Sequence, residues 1–391
     1  MIDFSFDMSA RNKADDLIDD LIDKVLAAYP PGRLMRIKAR TEAAWKDRDY
    51  GGGPFGDRIA YVAYMDYVSN EPPVPDDATA YQSDMIAQLR KMLHNSNIDD
   101  EYYPGFTSGC EQVTVPSMFG CGKVHTSGSA KVGAIIKSPS DVYSLPAAEI
   151  REGHMCYDML KSMAYKHKRT GGRIPVYITD MQGPFSCAAQ MWGIQDFLCD
   201  LHEYPDEVHT LLGSCTRAIV DYYNAMYDAI GENLIPIHCH PVLWIPRDCG
   251  VALSDDFFAV VSKDVAEEFS CPYLEEIGRA FGGMTVHTCG GMNHLVKLMN
   301  DMKTLKCINF SASETDLRKY AKEHDPKIML LVHKSRLSMN GLPLLDRENH
   351  IRLCRDVQKE YKINVIANAS TTNNEPNDDD HTKFLHAASL R

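Results

Sequence analysis

The chain has 391 residues, 44% of them hydrophobic, with 54 acidic against 41 basic side chains and a formal net charge of -13. That length and apolar content suffice for one large domain or two smaller ones, and the acidic balance argues against nucleic acid or anionic membrane as partners, no basic tract being longer than Lys166-His167-Lys168-Arg169. The first residues lack the charged and apolar regions of a secretory signal, and no window approaches the roughly 18 apolar residues of a membrane span, so a cytoplasmic location is expected. Twelve cysteines in a long chain of this kind read as reduced residues, and Cys156, Cys187, Cys199, Cys215, Cys271 and Cys354 need no role beyond burial in the core.

Residues 14–29 carry Leu17, Ile18, Leu21, Ile22, Val25 and Leu26 at helical spacing with acidic residues between them, which predicts an amphipathic helix. From 48 to 103 the chain is punctuated by Gly51-Gly52-Gly53-Pro54 and Glu71-Pro72-Pro73-Val74-Pro75, with short helical pieces such as 83–93. Residues 1–105 therefore read as a helical extension packed on a larger domain, 106–391.

Beyond that point β-rich runs alternate with helices. Strands are expected at 174–180, 234–238, 284–289, 305–310, 327–333 and 363–368. Helices are expected from about 188, over 205–230 with a stop at Gly231, over 262–281, 292–302 and 346–361, and near the C-terminus. Ser313-Glu314-Thr315-Asp316 has capping-box spacing and should open a further helix. That makes six βα units. With 113–136 supplying the strands needed to reach eight, the pattern predicts an α/β fold, a TIM (β/α)8 barrel behind an N-terminal helical extension. No glycine-rich nucleotide-binding motif follows any strand.

A barrel of this type keeps its chemistry at the C-terminal ends of its strands, and the polar residues fall there. Asp180 and Gln182 close one strand, His238 and His240 the next, His287 and Cys289 the third, followed by Asn309, His333 and Asn368. In a strand, residues two apart share a side, so Val286-His287-Thr288-Cys289-Gly290 presents an imidazole with a thiol, a soft half-site for zinc. His238 and His240 stand in the same relation, Cys239 facing the other way, and at least one of them is expected to join the metal. The bland reading is that His125 or His333 is a core histidine bonded to backbone and that Asp180 caps a turn.

These residues resemble the uroporphyrinogen decarboxylase superfamily, over roughly 105–390. Gln182-Gly183-Pro184-Phe185-Ser186 looks like its G-x-P-[FW]-T turn, Pro205-Asp206-Glu207-Val208-His209-Thr210-Leu211-Leu212 like its P-E-x-V-H-x-L-L helix start, and Asp248-Cys249-Gly250 with Ser254-Asp255-Asp256 like its D-x-G loop. His287-Thr288-Cys289-Gly290 resembles the H-x-C-G of its zinc-dependent, corrinoid-using methyltransferases. Gly32-Arg33-Leu34-Met35-Arg36 does not match the R-Q-A-G-R segment of the decarboxylase branch, which argues against a porphyrin substrate.

The resemblance implies a zinc-dependent methyltransferase working between a corrinoid of the methylcobalamin type, carried on a partner protein, and a small-molecule acceptor, a thiol or a similarly poor nucleophile. In it Asp180 and Asn309 orient the substrate and Asp248 supports the loop above. Gln182, His333 and Asn368 serve the cofactor, and His287 and Cys289 bind zinc. The methyltransferases take a second Cys near the last strand, whereas 365–372 here contains none. Three alternatives remain open: His238 or His240 replaces it, another metal is held, or His287 works without metal as an acid or base. A metal-assisted decarboxylase or lyase acting on a small carboxylate is the second reading of function, and a non-catalytic corrinoid- or tetrapyrrole-binding protein the third. The helical extension offers a surface for a homodimer.

Overall fold

The computed structural model describes residues 2, 4–6, 9, 11–46, 59–63, 72–108, 113–126, 129–237, 242–335 and 337–370. The strands among these residues are β1 (Ala60–Val62), β2 (Lys123–Thr126), β3 (Ser129–Val132), β4 (Val176–Tyr177), β5 (Leu234–Ile235), β6 (Val251–Ser254), β7 (Met284–His287), β8 (Leu305–Ser311), β9 (Met329–His333) and β10 (Val365–Asn368). Six form one sheet in the order β1-β10-β9-β8-β7-β6, every pair parallel. Their residues are almost all buried, as expected for a parallel sheet whose two faces are both kept from solvent.

β4 and β5 make a separate parallel pair, and short links tie β4 to the large sheet. Ser254 N donates to Met181 O at 2.8 Å and Gly183 N to Ser254 O at 2.6 Å, which lays the chain after β4 against the end of β6. On the other side Tyr177 N donates to Phe106 O at 2.8 Å, and Glu101 N to Tyr61 O at 3.0 Å brings that segment back to β1. The fold is thus α/β with a parallel sheet. Its registered ladder runs from β1 to β6.

The sequence pattern located most units and misplaced two strands. Helix Pro205–Ile230 and helix Arg347–Tyr361 lie where their periodicity and caps put them. The run 262–281, expected as one helix, is two, Lys263–Phe269 and Cys271–Phe281, interrupted at Ser270. The helix expected after Ser313 begins at Leu317, capped by Asp316, whose side chain accepts from Lys319 N. The segment 113–136 does not supply strands to the main sheet; it forms a short helix, Thr114–Met118, and the antiparallel hairpin β2-β3. The additional strands of the large sheet are β1, in the stretch expected to be helical, and β6, in a stretch read as loop. Both are short and wholly buried, so neither has the polar alternation that marks a strand. The expected C-terminal helix lies outside the described residues. Cys199, expected to be buried, is exposed.

The N-terminal helices Lys13–Ala28 and Ala80–Asn95 each open with a capping box, Asn12 with Asp15 and Thr79 with Gln82. They bury Ile18, Ile22, Met85, Ile86 and Leu89 in the common core. Polar ties add to this docking. Lys166, 1% exposed, reaches Asp84 Oδ2 at 2.6 Å and donates to Thr107 O at 2.8 Å, and Arg169 Nη1 meets Asp19 Oδ1 at 2.6 Å. No helix among the described residues is long and apolar enough to cross a membrane.

Entry into β6 depends on one glycine. Gly250 has φ +82°, and a Cβ there would stand 1.7 Å from Gly283 O, backbone that cannot move without shifting the start of β7. Gly250→Ala should therefore cost roughly 3 kcal/mol, combining the left-handed backbone with the clash. A urea denaturation midpoint equal to that of the unsubstituted protein would contradict this close approach.

Candidate metal centre

The parallel register gathers polar side chains at one end of the sheet. Ser254, His287 and Asn309 are aligned across β6, β7 and β8, while His333 is aligned with Ser311 on one side and Asn368 on the other. β7 ends at His287, earlier than expected, and Cys289 stands on the turn that follows. The pair still meets, with His287 Nε2 3.3 Å from Cys289 Sγ.

The turn is built around its glycine. Gly290 has φ +96°, and a Cβ there would lie 2.5 Å from Ala259 Cβ. Gly290 N donates to the Glu314 carboxylate, Thr315 Oγ1 donates to Gly290 O at 3.0 Å, and Cys289 N donates to Asp256 Oδ1 at 2.8 Å. A side chain at 290 would push the turn off the loop after β6 and carry the thiol with it.

Asn309 decides what His287 can do. Its Nδ2 donates to Leu331 O at 2.6 Å, so its Oδ1 is the atom turned to His287 Nδ1, 2.5 Å away. An amide oxygen only accepts, so Nδ1 carries the proton and Nε2 presents its lone pair toward Cys289. The same Nδ2 lies 3.3 Å from His333 Nδ1, and the two imidazole rings are 5.3 Å apart.

Asp256, His287 and Cys289 each offer a ligand atom, all within 4.8 Å of one another. Donors bound at zinc distances of about 2.0–2.3 Å lie roughly 3.3–3.8 Å apart in a tetrahedron, so the set fits a small cation with minor tightening. Nitrogen, sulfur and oxygen donors suit zinc, and three protein donors leave a position open. The cluster is also acidic. Burial pushes the Cys289 thiol well above its usual range, and the carboxylates of Asp256, Glu314 and Asp180 push it further the same way, although the residue reaches solvent. Glu314 is 2% exposed and also accepts from Ser335 Oγ at 2.6 Å.

The other expected residues divide. Asp180 Oδ1 accepts from Ser254 Oγ at 2.7 Å beside the cluster, and Gln182 is bridged to Ser254. Asn368 Oδ1 accepts from Ser370 N at 3.1 Å, which closes its own turn next to His333. Asp248 is not brought to this end: it is exposed and precedes β6, beside Arg247, whose Nη1 pairs with Glu232 Oε1 at 3.0 Å. It therefore does not support a loop above the cluster. His238 and His240 lie outside the described residues, and so do Cys239 and Pro241. Sequence reasoning assigned no role to Asp256 or Glu314. An acidic pair one residue after the apolar run Val251-Ala252-Leu253 was the available signal for the first, whereas Glu314 was absorbed into the expected capping box.

Beneath the cluster, Asp255 is fully buried and its carboxyl is raised to about 6, by burial first and by Asp256, against hydrogen bonds from Ser270 and Ser186 that lower it. An acid raised in this way disfavours its ionised form in the fold. The cost is absent below its unfolded value near 3.8, grows as pH rises toward 6 and is fully present above, up to about 3 kcal/mol. Asp255→Asn should gain stability relative to the unsubstituted protein as pH rises from 4 to about 7, read by urea denaturation of metal-free protein. A pH-independent difference would sink this account.

No curated protein is detectably similar to the chain. Among solved structures, a methyltransferase from Methanosarcina mazei superposes with a TM-score of 0.49 at 18% identity, covering 67% of this chain and 73% of that one. The family model for uroporphyrinogen decarboxylase (URO-D) matches residues 110–236, a span that holds the Gln182-Gly183-Pro184 turn and the Pro205 helix start and ends before His287. The similarity to uroporphyrinogen decarboxylase thus covers 110–236, where two of the motifs singled out in the sequence lie.

Proposed function

We propose that the protein is a zinc-dependent methyltransferase built on a (β/α)8 barrel, moving a methyl group between a methylcobalamin-type corrinoid on a partner protein and a small-molecule thiol. The observation that carries this reading is the cluster of His287 Nε2, Cys289 Sγ and an Asp256 carboxylate oxygen. Asp256 takes the place that the missing C-terminal Cys would have filled, and His238 or His240 completes the set if a fourth protein donor is used. Zinc, when bound, lowers the pKa of a thiol acceptor so that it is nucleophilic at neutral pH.

The chain's own residues prepare that step. Asn309 holds His287 in the tautomer that can ligate, the kind of support whose loss typically weakens metal binding 10–100-fold. Asp256 fixes the Cys289 turn through its backbone N–H while offering a donor atom itself. Asp180 and Asn309 orient the acceptor, and Gln182, His333 and Asn368 face the corrinoid side.

Purified protein should hold near-stoichiometric zinc by mass spectrometry. Cys289→Ser and Asp256→Asn should each lose it, and Asn309→Ala should weaken zinc roughly 10–100-fold in a chelator competition. The zinc form should demethylate methylcobalamin when a thiol is supplied. Protein that takes up no zinc after incubation with it, or a zinc form that ignores methylcobalamin and releases carbon dioxide from a small carboxylate, would overturn the reading.

A further inference from the structure

The motif Ser313-Glu314-Thr315-Asp316, directly after β8, takes no part in the proposed chemistry, yet it grips two other segments at once. On one side it holds the Cys289 turn. Glu314 Oε2 accepts from Gly290 N, Thr315 Oγ1 accepts from Met292 N at 3.1 Å and donates to Gly290 O at 3.0 Å, and Asn293 Nδ2 donates to Asp316 O at 2.9 Å. On the other side it holds the segment after β9. Ser335 Oγ donates to Glu314 Oε1 at 2.6 Å, Ser313 Oγ to Leu337 O at 2.7 Å, and Met339 N to Ser313 O at 2.9 Å.

The Glu314 side chain joins the two. Each of its oxygens takes a donor from a different segment, and a planar carboxylate cannot shift one oxygen without moving the other. At 2% exposure, water does not replace a partner that is lost. The segment 337–342 also packs on the turn directly: a Cβ at Gly290 would lie 3.8 Å from Met339 Sδ, and one at Gly291 3.0 Å from Asn340 Nδ2. Its backbone reverses through Asn340 and Gly341, at φ +56° and +73°, while Leu337 stays exposed on its outer side.

We infer that Glu314 is a positioning residue for the Cys289 thiol and that it couples the 337–342 segment to that thiol. Displacing the segment withdraws Ser335 from Oε1, turns the carboxylate away from Gly290 N and frees one side of the turn. Cys289 N remains on Asp256, so the turn pivots there and the sulfur moves relative to His287 Nε2. This goes beyond methyl transfer, because the coupling is a property of the metal-free protein and holds whatever the thiol does.

The chain contains three Cys-Gly peptide bonds, at 121–122, 249–250 and 289–290. Protein labelled with carbonyl-13C cysteine and 15N glycine therefore reports the Gly290 N–H by NMR, with Gly122 and Gly250 as internal controls. In metal-free protein, Ser335→Ala should move the Gly290 amide proton upfield and speed its hydrogen exchange on the order of tenfold, leaving Gly122 and Gly250 unchanged. Ser335→Thr should restore both. Glu314→Gln, which keeps an oxygen for Gly290 N, should fall between the unsubstituted protein and Glu314→Ala; if the Glu314 variants do not fold, the Ser335 pair decides alone. Coupling is reciprocal, so Thr315→Val, which removes the bonds to Gly290 O and from Met292 N, should speed exchange over 337–342, read by mass spectrometry of peptides. A Gly290 amide that stays in place in Ser335→Ala, or a 337–342 segment that exchanges as before in Thr315→Val, would overturn the coupling. So would Gly122 and Gly250 moving together with Gly290, the mark of a general loosening.

Discussion

The register between β7 and β8 is the constraint on which the candidate centre depends. It sets His287 directly beside Asn309, and the carbonyl of Leu331 on β9 then fixes which way the Asn309 amide points. Three strands are needed to settle one proton on one imidazole. Because the sheet is parallel, all their C-terminal ends face the same direction, and a slip of a single residue would turn His287 into the packed interior. The orientation and tautomer of the histidine are therefore set through the backbone ladder, which costs far more to disturb than a side-chain contact.

The second organising feature is the acidic ground under and around that histidine. Asp255 is buried and hydrogen-bonded to serines from two helices, Ser186 on Pro184–Trp192 and Ser270 at the break between Lys263–Phe269 and Cys271–Phe281. Its own backbone N–H reaches His287 O at 2.8 Å. The interrupted helix has a backbone reason, Pro272, which lacks the N–H that would continue the helix, and the break brings the Ser270 hydroxyl to the Asp255 carboxylate. Asp255 links the helical layer to the strand end that bears the histidine, and the next residue, Asp256, turns outward to the cluster.

Much of the architecture was legible because long helices and buried strand runs leave strong periodic signals. Pro205 and Gly231 bracket a helix by backbone restriction alone, and the polar residue closing each apolar run marked the strand ends. What was hidden lacked such a signal. β1 and β6 are three and four residues long and buried on all sides, so no alternation distinguishes them from loop. His287 and Cys289 were paired through strand geometry, yet Cys289 sits on a turn, and the contact survives because Gly290 and Asp256 hold that turn. Glu314 was invisible for another reason: its partners are a backbone N–H 24 residues earlier and a serine 21 residues later, a relation no local spacing reveals.

The replacement of a thiolate by a carboxylate in the proposed ligand set has a chemical consequence beyond keeping the charge count. A carboxylate oxygen is a harder and weaker electron donor than a thiolate, so a metal held by His287, Cys289 and Asp256 keeps more of its positive charge for the open position. Such a centre acidifies a bound thiol more strongly than one with two thiolates, and it releases a soft product more readily. Asp256 ties that donor set to the turn, since the same side chain offers a hard donor atom and anchors the Cys289 backbone beside it.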